Sequence, residues 1–133
     1  MDRIRVEGGR ALCGSVYIQG SKNAALPVMA AAVLHRGITV LKNCPCITDV
    51  SDMERILESL GARTMRRGHV LTLDCRDIHG FCVPLEYGRR MRSSVILMGS
   101  LLGRRGKVTV PYPGGCTIGR RPVDLHLKIF KKM

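Results

Sequence analysis

Two segments of this chain, starting about 70 residues apart, read as copies of one pattern. Lys22 through Val40 runs cation, apolar helix, Arg36-Gly37, then Ile38-Thr39-Val40. Arg92 through Val110 runs cation, apolar helix, Arg105-Gly106, then Lys107-Val108-Thr109-Val110. A loop and a further helix follow each copy, starting near Thr48-Asp49 and near Pro122. Helix–strand–loop–helix units in series point to an α/β fold built from duplicated modules. Two copies are a small sample, and chance likeness between apolar helices is the alternative.

The remaining elements fit around these copies. Residues 3–7 and 13–19 alternate as two short strands. Gly20-Ser21-Lys22-Asn23 caps a helix over 24–35, and Pro27 is tolerable in or just after its first turn, where few amides have intrahelical partners. A strand follows at 38–41. Val50, Met53, Ile56, Leu57 and Leu60 hold helical spacing over 49–60, with Gly61 as terminator. Residues 62–66 and 69–75 predict a hairpin turning at Arg67-Gly68. A third helix is expected at 88–102, a strand at 107–111 and a last helix from Pro122. That last helix has barely begun when the chain ends, without cap or glycine, so the sequence reads as interrupted.

At 133 residues there is room for one domain with a genuine core, and two would be cramped. An apolar share of 45% with no Trp predicts a globular protein with an aliphatic core. The formal charge of +12, mainly from sixteen arginines, has two explanations. A nucleic acid would reward a broad basic face, whereas small phosphorylated ligands need only a few arginines converging on a cleft. The arginines fall in small scattered groups with few aromatics between them, which favours the second reading. Met1-Asp2-Arg3-Ile4-Arg5 is not a signal peptide, and the apolar run Ala24 to Leu34 is too short to span a bilayer. Six cysteines without an export signal fit a reducing compartment, so a cytoplasmic protein is expected.

The chemistry concentrates at Pro113-Gly114-Gly115-Cys116-Thr117-Ile118-Gly119-Arg120-Arg121-Pro122. Glycines let backbone approach a ligand closely, and neighbouring guanidinium charge favours a thiolate and attracts phosphate. Pro122 at a helix start leaves amides free, which with Arg121 makes an anion site. The plainer reading is a strand-to-helix connection with a solvated arginine pair. Lys22-Asn23 places an ammonium and an amide beside the free N–H groups of another helix start, and Arg92 holds the equivalent place in the second copy. Each alone could be an exposed cap; together, at the starts of repeated modules, they point to one anionic ligand. A metal site from Cys44, Cys46, Cys75, His79 and Cys82 fails on spacing, and no metal or cofactor is expected.

With these residues in hand, the chain resembles the UDP-N-acetylglucosamine enolpyruvyl transferases. The likeness rests on Val6-Glu7-Gly8-Gly9, Gly20-Ser21-Lys22-Asn23-Ala24-Ala25-Leu26-Pro27, Thr48-Asp49-Val50, Met91-Arg92-Ser93-Ser94 and Pro113 to His126. It covers essentially all 133 residues but only about the first third of a family member. The related shikimate-pathway transferases share the fold but lack such a cysteine loop.

The resemblance implies a truncated inside-out α/β barrel of repeated helix–sheet units. Residues 1–21 would be strands of the family's second domain, and 22–133 part of its first, catalytic-loop domain. The implied reaction moves the enolpyruvyl group of phosphoenolpyruvate to the 3-hydroxyl of UDP-N-acetylglucosamine, the first committed step of peptidoglycan synthesis. By the same resemblance Lys22 and Asn23 would bind phosphoenolpyruvate, Cys116 would donate the proton, and Arg92, Arg121, Pro122, Val123, Asp124 and Leu125 would bind the nucleotide sugar. Neither nucleic acid nor membrane is an implied partner. Two departures stand out: some members carry lysines at Cys46 and Thr48, and the expected aspartate base and further arginine clamp are not among these residues.

Overall fold

An alanine-rich segment forms the first helix, α1 (Lys22–Ala32), in a computed structural model that describes residues 3–112 and 123–132. Its cap residue Ser21 is extended, and the Ser21 carbonyl accepts from the N–H groups of Ala24 (3.2 Å) and Ala25 (2.9 Å). Pro27 falls inside the helix, so the Asn23 carbonyl lacks the donor that the fourth residue onward ordinarily supplies. Leu26, Met29, Ala30 and Val33 form the buried stripe.

Helix α2 (Thr48–Ser59) follows the predicted periodicity: Val50, Met53, Ile56, Leu57 and Leu60 are all fully buried. Gly61 ends it at φ 105°, a left-handed conformation that glycine adopts without a Cβ penalty. The three strands β1 (Ile38–Leu41), β2 (Arg63–Arg67) and β3 (Val70–Asp74) make an antiparallel sheet in the order β1-β3-β2. Leu71 and Leu73 of the central strand are fully buried on the face toward the helices. Ile38, Val40 and Met65, on the opposite face, are 52%, 53% and 53% exposed. One sheet face packs on helices and the other is open, which is the α/β layering expected.

The second copy departs from the expected pattern. Instead of one helix over 88–102 there are α3 (Leu85–Arg90), a 3-10 segment (Arg92–Ile96) and α4 (Leu97–Arg105). Buried Met91 is extended between them (φ −113°, ψ 103°). Beside the break, Gly88 lies so close to Pro111 that a Cβ there would stand 2.7 Å from its ring. The Ser94 hydroxyl also donates back to the Gly88 carbonyl at 3.3 Å. The expected strand at 107–111 is only a single parallel bridge between Thr109 and Cys82. The last helix is α5 (Asp124–Phe130).

The two strands expected at 3–7 and 13–19 are not formed: residues 3–20 carry neither helix nor strand, and 3–19 are exposed. Alternating residues make a strand only when a ladder partner satisfies their backbone groups, and no described strand pairs with them.

Arg104 links the copies. Its guanidinium donates to the carbonyls of Cys75 (2.8 Å), Arg76 (3.0 Å) and Val33 (3.4 Å), joining α4 to the end of β3 and to the end of α1. Beside it, the side chain of Arg76 and then its backbone N–H donate to Asp74 and hold that carboxyl down at about 2. A depressed carboxyl stabilises the fold above its unfolded value of about 4, and that contribution is lost as pH falls toward 2. Denaturation midpoints measured between pH 5 and 2 should therefore fall less steeply for Asp74→Asn than for the parent. Equal slopes would show that the pair contributes nothing.

Candidate functional site

Two of the predicted cations, Lys22 and Arg92, lie at helix starts. Lys22 is the first residue of α1, with Asn23 next, and Arg92 opens the 3-10 segment because the chain breaks at Met91. Both α2 and the 3-10 segment pack against α1. Asn23 is exposed and Arg92 half-buried. Val123 is 7% exposed at the start of α5, whereas Asp124 and Leu125 are exposed. Cys116, Arg121 and Pro122 lie outside the described residues.

One partner escaped the sequence reading. The Lys22 ammonium lies 3.0 Å from the Asp49 carboxylate, across from α1 to the first turn of α2. A lysine at a helix start faces the positive end of the helix dipole, which is unfavourable by about 0.3–1 kcal/mol, whereas an aspartate in a first turn gains by a similar amount. The cross-helix pair offsets the first with the second. Asp49 was visible only as part of a motif, since nothing in sequence joins residues 27 positions apart.

A cleft of about 510 Å³ opens between the start of α2 and α3, and Arg55, Arg66 and Arg90 line it. Two of these three guanidiniums are ion-paired. Arg90 lies 3.8 Å from Asp52 and 4.0 Å from Glu86. Arg66 donates twice to Glu54, through Nε at 3.0 Å and through Nη2. Burial works to lower the proton affinity of Arg66, but the Glu54 hydrogen bonds and charge outweigh it and raise it above the ordinary value. The same guanidinium reaches Cys46 Sγ (3.7 Å) and Cys44 Sγ (3.9 Å), so positive charge stands beside position 46 even without a lysine there. The Arg66–Glu54 pair holds α2 to β2, and the Arg90–Asp52 contact joins α3 to α2.

Burial pushes the Cys75 thiol up, against the lowering influence of Arg104, which leaves it an inert core residue. Among the described residues no cluster of His, Cys, Asp and Glu side chains could hold a metal ion. No described helix is long and apolar enough to cross a membrane.

Comparison with known proteins bears on this geometry. The family described as EPSP synthase (3-phosphoshikimate 1-carboxyvinyltransferase) matches residues 6–133. The chain is 43% identical, over its whole length, to UDP-N-acetylglucosamine 1-carboxyvinyltransferase 2 of Caldanaerobacter subterraneus subsp. tengcongensis, and spans 32% of that relative. It is 46% identical to UDP-N-acetylglucosamine 1-carboxyvinyltransferase 1 of Symbiobacterium thermophilum, with 96% of the chain and 30% of the relative covered. The crystal structure of the enolpyruvyl transferase NikO from Streptomyces tendae superposes with a TM-score of 0.68 at 27% identity, over 74% of this chain and 23% of that one. The chain thus spans about a third of the length of the curated relatives it matches.

Proposed function

The chain belongs to the EPSP synthase family of 1-carboxyvinyltransferases, and from that premise we propose that it serves enolpyruvyl transfer from phosphoenolpyruvate to the 3-hydroxyl of UDP-N-acetylglucosamine. The observation that carries the choice of acceptor is 40–46% identity, over nearly all of the chain, to proteins named for UDP-N-acetylglucosamine. The Pro113 to His126 cysteine loop supports the same choice over the shikimate alternative.

In this reading Lys22 and Asn23 hold phosphoenolpyruvate at the start of α1, where an ammonium and free amides meet its carboxylate or phosphate. Arg92, Arg121, Pro122, Val123, Asp124 and Leu125 take the nucleotide sugar. Cys116 gives a proton to the vinyl carbon, which makes the neighbouring carbon electrophilic toward the sugar oxygen. Loss of a methyl proton and of phosphate then restores the vinyl group. The base for the sugar hydroxyl and a further arginine clamp are not among the 133 residues. The chain alone therefore supplies one side of a cleft and is expected to be inactive. The work of such an enzyme belongs in the cytoplasm, in cell-wall synthesis, and needs no cofactor.

Calorimetric titration tests the proposal. Binding of UDP-N-acetylglucosamine, no binding of shikimate 3-phosphate and no phosphate release from the substrate pair are expected. Preference for shikimate 3-phosphate would overturn the choice of acceptor. Salt-dependent retention of DNA that is unchanged when Arg92 and Arg121 are replaced together would favour a nucleic-acid binder instead.

A further inference from the structure

We propose that Asp49 is a positioning residue for Lys22: it fixes the ammonium over the start of α1 in the orientation that receives the anionic ligand. This role rests on the phosphoenolpyruvate reading of Lys22.

The pair does not read as a fold-stabilising bridge. Lys22 and Asp49 are 49% and 40% exposed at their side chains, and ion pairs so open to water are heavily screened. Its geometry does read as an orienting contact. Asp49 stands in the first turn of a helix whose Val50, Met53, Ile56 and Leu57 are fully buried, so its backbone is fixed. Lys22 has a flexible four-carbon stem that would otherwise sweep a wide arc, and ordering it on ligand binding would weaken affinity. One Asp49 oxygen at 3.0 Å occupies one of three ammonium donors and leaves the others for an incoming oxyanion.

The position of the pair adds to this. Lys22 precedes Asn23, whose carbonyl lacks its usual intrahelical donor because Pro27 has none to give. A cation set against a helix dipole, with polar groups beside it kept from intrahelical bonding, fits a site better than a helix cap. Asp49 keeps that cation in place at the cost of some local negative charge. The two influences oppose each other: removing Asp49 loosens Lys22 but also removes repulsion toward an anion. The direct, single-oxygen contact from a fixed helix turn points to orientation as the larger of the two.

The test uses the full chain and phosphoenolpyruvate, followed by calorimetry and by the NMR signals of the Lys22 side chain. Asp49→Ala should weaken binding at least about 5-fold and broaden or abolish the Lys22 ammonium signal, with the melting temperature lowered by no more than about 5 °C, as for an exposed pair and one helix-start carboxylate. Asp49→Glu, which restores the charge one methylene further out, should recover most of the affinity. Unchanged or tighter binding by Asp49→Ala would overturn the positioning role while leaving the ligand reading intact, provided Lys22→Met abolishes binding. If the parent chain shows no binding that depends on Lys22, the ligand reading falls and the positioning role falls with it.

Discussion

Gly20→Ala is expected to destabilise the chain by about 3 kcal/mol or more, because the new methyl would land on backbone that cannot retreat. A Cβ at Gly20 would overlap the carbonyl oxygen of Asn43 and approach that residue's carbonyl carbon at 3.2 Å and the Pro45 ring at 3.4 Å. Asn43 itself holds a left-handed backbone (φ 53°), and neighbouring Cys44 is pinned by its N–H donating to the His69 carbonyl at 2.8 Å. Relief must therefore come from moving the start of α1, which carries Lys22 and Asn23. The variant should lose stability and also weaken any ligand held by those two residues. Gly8→Ala is the matched control, since nothing lies within 4 Å of a Cβ there. Thermal unfolding of the two by circular dichroism separates the cases, and equal midpoints would contradict the close-approach argument.

Leu73→Ala should cost about 2–5 kcal/mol, the range for emptying a buried leucine site. Leu73 is fully buried on the central strand, opposite Thr39 on one side and Thr64 on the other. Its loss opens a void under both strand pairs of a sheet whose other face already leaves Ile38 and Val40 about half exposed to water, at 52% and 53%. A small domain with an open face has little stability in reserve, so cooperative unfolding in urea should be strongly weakened or absent. Val40→Ala, on the open face, is expected to change stability by less than about 1 kcal/mol. Similar losses for the two would mean that the buried face is not where stability resides.

The first copy was legible in sequence because its signals are local. Val50, Met53, Ile56 and Leu57 share one helical face, Gly61 stops the helix, and the hairpin turns at Gly68-His69, one residue beyond the expected Arg67-Gly68. The second copy was less legible because its shape depends on contacts distant in sequence. The break at Met91 lies beside contacts of Gly88 with Pro111 and with Ser94, and a single-sequence reading of apolar spacing runs straight through it. Pro84 with Glu86 behind it was a usable signal for the start of α3 and went unread. Residues 3–19 show the converse: alternation without a partner strand yields no strand. At the site, the cations at helix starts were readable from capping logic, while the Lys22–Asp49 contact was not, since only packing of α1 on α2 brings the two together.

In the proposed reading the start of α1 and the cysteine loop serve a single anionic ligand. Amide chemical-shift mapping during a phosphoenolpyruvate titration tests it most directly. Lys22, Asn23 and Cys116 should shift together along one saturable curve, Arg92 should respond to UDP-N-acetylglucosamine instead, and Arg55 and Arg90 in the arginine-lined cleft should stay still in both. Shifts confined to that cleft, or independent curves at the three positions, would contradict it.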